Sequence, residues 1–138
     1  MSIHLSLELR ADLAELERLS DALDQFAQAQ CWSPESLFQV KLALEELIVN
    51  VISYGTNDGR LPTIHVKLCQ HDMQLAIEVV DDGVAFDPLQ KAEPDLDASL
   101  DDRAVGGLGV YLVRQLMDTV RYQRDAGQNK LLITKALK

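Results

Sequence analysis

The stretch from Ser33 to Gly55 constrains this chain more than any other. Ser33-Pro34 has the form of an N-cap followed by proline at the first helical position, and Gly55 is a natural C-terminal stop. At roughly 100° per residue, Val40, Ala43, Leu44, Leu47, Val51 and Tyr54 make one apolar face, and Leu37, Ile48 and Ile52 widen it. Leu42 and Val49 add apolar surface nearly opposite. A helix wetted only through narrow windows belongs between a sheet and another helix. One window gathers Gln39, Glu46, Asn50 and Ser53.

The rest of the chain supplies those layers. Ile3, Leu5, Leu7 and Leu9 alternate with polar neighbours at the period of a half-buried strand. Asp12 and Glu15 resemble a capping box, predicting a helix over about 12–29 with Leu13, Leu16, Leu19, Leu23 and Phe26 on one stripe. After a turn at Asn57-Asp58-Gly59, 62–70 and 73–81 read as strands of a hairpin joined at His71-Asp72. A loop over about 84–106 carries Pro88, Pro94 and a surplus of acids. Leu108 to Met117 returns to helical spacing, and 119–125 and 130–137 make a last hairpin around Ala126-Gly127-Gln128-Asn129. The order β-α-α-β-β-loop-α-β-β predicts one domain over 1–138. Its class is α+β, a two-layer sandwich with helices on one face of a mostly antiparallel mixed sheet.

Composition narrows the function. The 138 residues are 47% hydrophobic and 25% charged, as in a folded domain. With 22 acids against 13 bases the net charge is −9 and no basic cluster exists, which disfavours direct binding to nucleic acid. The acidic balance leaves room for a basic protein partner. No apolar run is long enough to span a bilayer, and the first residues lack the basic head and apolar stretch of a signal peptide, so a cytoplasmic protein is expected. Cys31 and Cys69 lack zinc spacing and read as reduced packing residues.

Three short motifs carry chemistry. Glu46 and Asn50 stand four apart on the long helix, so their side chains project side by side; together they can share a hydrated Mg²⁺, or divide into a proton acceptor and a metal ligand. A solvated polar strip would have the same spacing. Along the strand to Asp81, alternation places Leu75, Ile77, Val79 and Asp81 on one face and Glu78 and Asp82 on the other. An inward carboxylate needs a donor; the exocyclic amine of a purine would supply one, and Gly83 would let the base approach the backbone. An ordinary strand-ending turn also fits Asp-Asp-Gly. Gly106-Gly107-Leu108-Gly109 lies where loop becomes helix, a place for amides to converge on phosphate, or for a hinge. It is neither a Walker P-loop nor a Rossmann fingerprint.

In that order these motifs resemble the GHKL superfamily of ATP-binding proteins, which share the Bergerat fold. Within it the chain is most similar to the small bacterial anti-sigma-factor serine/threonine kinases. ALEELIVNVISYG is similar to the N box, VVDDGVAFDP to the first glycine box and GGLGVYLVRQLMD to the second. The resemblance implies Glu46 as general base and Asn50 as the Mg²⁺ ligand. It implies Asp81 at the adenine amino group with Gly83 beside it, and Gly107, Leu108 and Gly109 at the phosphates. It also implies Thr134 as a hydroxyl near Asp81, and an ATP lid at about 88–105. Ala85 stands where many relatives have a second glycine, and Tyr54 where a histidine commonly follows the N-box asparagine.

The function so implied is an anti-sigma regulatory factor that uses ATP and Mg²⁺ to phosphorylate an anti-sigma-factor antagonist and that binds a sigma factor. The alternative is a regulatory module that binds ATP and sequesters a partner without transferring phosphate. Histidine-kinase chemistry is disfavoured, because no helical dimerisation segment precedes the ATP-binding region and His4, His65 and His71 fall on strands or a turn. Oligomeric state, a homodimer included, stays open.

Overall fold

In the computed structural model, which describes residues 2–55, 61–90 and 107–137, strand alternation is satisfied by one five-stranded sheet. The strands are β1 (Ser2–Arg10), β2 (Thr63–His71), β3 (Gln74–Asp81), β4 (Thr119–Asp125) and β5 (Gln128–Ala136). Their spatial order is β1-β2-β3-β5-β4, and every pairing is antiparallel. Three helices, α1 (Leu16–Ala29), α2 (Pro34–Tyr54) and α3 (Gly107–Leu116), accompany it. Leu9, Ile64, Val66, Leu68, Leu75, Ile77 and Ile133 meet α1, α2 and α3 through Leu19, Leu23, Leu44, Leu47, Ile48 and Val113 in one core.

The long helix forms as its sequence demands. Ser33 Oγ accepts the Ser36 amide at 3.1 Å, Pro34 opens the first turn, and the Gly55 amide closes the last on the Val51 carbonyl at 2.8 Å. The first helix starts later than expected. Asp12 Oδ1 does accept the Ala14 amide at 3.0 Å, but it caps a 3-10 turn over Leu13–Glu15, and Glu15 reaches back to the Arg10 amide rather than to its own cap. The tighter turn rotates Leu13 off the stripe, and it is 61% exposed.

The first hairpin turns one residue later than expected, and the second turns within the expected segment but over fewer residues. The β2–β3 turn is Asp72-Met73, with Asp72 at φ +53°, since His71 still pairs with Gln74. At β4–β5 only Ala126 and Gly127 turn, at φ +52° and +78°, the positive pair of a type I′ hairpin. Gln128 and Asn129 are therefore strand residues, paired with Asp125 and Arg124. Among the described residues no helix is long and apolar enough to cross a membrane.

Candidate functional site

The end of β3 and the end of α2 converge. Gly83 follows Asp81 so closely under α2 that a Cβ there would lie 2.9 Å from the Gly55 carbonyl and 3.1 Å from Pro62 Cγ. The need for glycine thus comes from the helix end packed against the strand end, before any ligand is considered. Tyr54, on the last turn of α2, stacks on Phe86 of the loop that follows β3, with centroids 4.7 Å apart. Asn50 and Asp81 consequently line one cavity with Gly55, Phe86 and Asn129. Its volume is about 20 Å³, room for a water molecule, so a larger group would fit only if its walls parted.

Asp81 is 5% exposed and faces the helices alongside Ile77 and Val79. Its Oδ1 accepts the Gly83 amide at 2.9 Å and Asn129 Nδ2 at 3.0 Å. Oδ2 has no hydrogen-bond partner among the described residues, so the carboxylate has one anchored oxygen and one available. Burial is the main influence on its acidity and raises its pKa; the Asn129 and Gly83 hydrogen bonds oppose that rise, Asp82 adds to it and Arg124 opposes it.

Asn50 is 4% exposed, and its Nδ2 is a buried donor with no partner among the described residues. Such a group costs about 1–3 kcal/mol unless something accepts from it. A phosphate oxygen would do so, and a half-turn of the amide would present Oδ1 to a cation instead. The residues therefore fit a Mg-nucleotide. Glu46, one turn earlier, is half-buried and makes no hydrogen bond or ion pair among the described residues. Gly107, Leu108 and Gly109 form the first turn of α3, where backbone amides point out of the helix. Gly106 and positions 91–105 of the expected lid lie outside the described residues; positions 88–90 make a short 3-10 turn.

Thr134 does not stand near Asp81. On β5, Asn129, Leu131, Ile133 and Lys135 point to the helices, so Thr134 points the other way. It pairs with Ala76, and its hydroxyl meets that of Thr119 at 2.6 Å on the uncovered side of the sheet. The position opposite Asp81 belongs to Asn129, a strand residue rather than part of the expected turn. Asn129 spends both ends of its amide in the site. Nδ2 donates to Asp81 and to the Val84 carbonyl at 2.9 Å, while Oδ1 accepts from the Phe86 amide, the Tyr122 hydroxyl and Arg124. Arg124 also donates to the Gly83 carbonyl at 2.9 Å. The available signal was strand parity: with a two-residue turn, Asn129 shares the inward face with Leu131 and Ile133.

A helical sandwich on an antiparallel sheet, with an inward aspartate and a buried asparagine at one end, places the chain in the histidine kinase-like ATPase domain family. That family matches residues 9–135, and the chain belongs to it. Its relatives include the serine/threonine-protein kinase BtrW of Bordetella bronchiseptica, 35% identical over 112 residues, 81% of this chain and 79% of that one. The serine-protein kinase RsbW of Listeria monocytogenes is 31% identical over 132 residues, 91% of this chain and 81% of the relative. The anti-sigma F factor of Clostridium acetobutylicum is 30% identical over 102 residues, 73% and 70% of the two chains. A crystal structure of the RsbU and RsbW domains of a Mycobacterium tuberculosis protein superposes with TM-score 0.70 over 98% of this chain and 32% of that one; at 16% identity the likeness concerns the fold.

Proposed function

We propose that this protein is an anti-sigma regulatory kinase, which uses Mg-ATP to phosphorylate a serine or threonine of an antagonist protein and also binds a sigma factor. The observation that carries the nucleotide reading is the cavity lined by both Asn50, with a buried unpartnered donor among the described residues, and Asp81, with one carboxylate oxygen unengaged. The protein class and partners rest on relatives named serine-protein kinase and anti-sigma F factor. The same reading puts the chain in the cytoplasm, where ATP is available.

In this account Asp81 Oδ2 accepts the adenine amino group, with Gly83 beside the base. Asn50 would hold Mg²⁺ through its amide oxygen, and the first turn of α3, with Gly107, Leu108 and Gly109, would direct amides at the phosphate oxygens. Bound Mg²⁺ supplies charge neutralisation at the transferring phosphoryl group. Glu46 takes the proton of the attacking hydroxyl as its oxygen bonds to the γ-phosphorus and the bond to ADP breaks. Residues of about 88–105 serve as the lid. The whole sequence 1–138 acts as one domain. Isothermal calorimetry tests the nucleotide assignment: the wild-type chain binds ATP in the presence of Mg²⁺, and an absence of binding under those conditions would overturn it.

A further inference from the structure

The long helix has a second apolar stripe that the fold leaves bare. Phe38 is 65% exposed, the most exposed large apolar residue among those described. Pro34, Phe38 and Leu42 recur every fourth residue, and with Leu37, Lys41 and Glu45 they line an open groove of about 320 Å³. Of this stripe, Leu42 belongs to the apolar surface that the sequence places nearly opposite the core face. Burying it against α1 would have been the ordinary solution, but α1 meets this side of α2 through Lys41, whose Nζ is held by Asp24 at 2.9 Å.

We propose that this groove docks the protein acceptor of the phosphoryl group, through an apolar side chain flanked by basic residues. This rests on the kinase reading above. Two features select that occupant. The charge at the rim is acidic, because Lys41 is neutralised by Asp24 while Glu45 lines the groove. The groove and Glu46 also lie on one rigid helix. Leu42 is one turn before Glu46, and Phe38 is two turns before it, about 12 Å along the axis at 1.5 Å per residue. A segment anchored at Phe38 reaches Glu46 with about four extended residues at roughly 3.3 Å each. A small-molecule acceptor has no use for such an anchor; a protein acceptor gains both affinity and register from it.

The test is a nuclear magnetic resonance titration of the ¹⁵N-labelled chain, saturated with Mg-ADP, with a synthetic peptide. The peptide carries a leucine anchor, an arginine on either side of it and a serine about four residues away. Amide shifts confined to residues 34–46 are expected. Phe38→Ala, or replacing the peptide's leucine by alanine, should weaken binding at least about tenfold, as truncating a docked apolar anchor does. Reversing the arginines to glutamates should do the same. The calorimetric affinity of Phe38→Ala for ATP should equal that of the wild type. Equal peptide binding by Phe38→Ala, or shifts located elsewhere, would overturn the groove assignment while the nucleotide reading stood. Shifts at the groove that appear on concentrating the peptide-free chain would give the groove to a second copy and also overturn it. A chain that binds the peptide but not ATP would overturn the kinase reading instead.

Discussion

Asn129 Nδ2 donates to Asp81 Oδ1 at 3.0 Å and ties the last hairpin to the end of β3 in the interior of the site. The same oxygen takes the Gly83 amide. Two donors on one oxygen give the carboxylate a fixed orientation, with Oδ2 as the acceptor offered to a ligand.

That orientation makes Asp81→Asn a sharp test. Both donors hold the amide oxygen in the place of Oδ1, so the new NH₂ faces the ligand where an acceptor stood. Under the proposed assignment a donor would then meet the adenine amino group. ATP affinity should fall at least about tenfold, the cost of one lost hydrogen bond to a charged group. ITP, whose base offers a carbonyl at that position, should lose much less. Calorimetry with both nucleotides measures the ratio, and an unchanged ratio would remove Asp81 from the base.

Burial raises the Asp81 pKa above 3.8, and this has two consequences of opposite sense. The nucleotide-free fold prefers the protonated acid, so this group's contribution makes the fold less stable as pH rises from 3.8 through the raised value. Binding prefers the carboxylate, a stronger acceptor, so ATP affinity falls as pH drops through the same window. Asn129→Ala deletes the largest effect opposing the rise. Its acid limb of ATP binding should move to higher pH, and the fold should lose about 1–3 kcal/mol as Val84, Phe86 and Arg124 lose a partner. Affinity profiles against pH and denaturant titrations check the two parts; an acid limb that stays in place would leave Asn129 a purely structural role.

Gly83→Ala places a methyl 2.9 Å from the backbone carbonyl of Gly55, a contact that only a backbone shift can relieve. The expected cost is about 1–3 kcal/mol, in the range of overpacked interiors. ATP binding should weaken as Asp81 moves with its neighbour. A melting temperature equal to that of the wild type would show that the helix end and the loop are not rigidly apposed.

How far the sequence could be read depended on the range of the interaction. The bounds of α2 were legible because Ser33, Pro34 and Gly55 act on their own turns. The inward direction of Asp81 was legible because strand parity is local. Asn129 was obscured by its company: Ala126-Gly127-Gln128-Asn129 is rich in turn formers, and two positive φ angles suffice to reverse the chain. Its partners come from β3, β4 and the loop at Val84 and Phe86, a convergence that no local pattern encodes. Thr134 failed for the complementary reason. Along β5 it lies five residues from Asn129, about 17 Å at 3.3 Å each, and on the other face. The late start of α1 arose because a capping aspartate serves a 3-10 turn as readily as an α-helix.

The most direct test of the central claim is phosphosite mass spectrometry on proteins captured from the native cell by the tagged chain with Mg-ATP, using wild type and Glu46→Ala in parallel. Loss of a general base should slow transfer by about 10²–10⁴-fold with ATP affinity unchanged. A captured partner bearing phosphoserine or phosphothreonine is expected with the wild type, and an unmodified one with Glu46→Ala. Equal phosphorylation by the two proteins, or no phosphorylated partner from a wild-type chain that binds ATP, would contradict it.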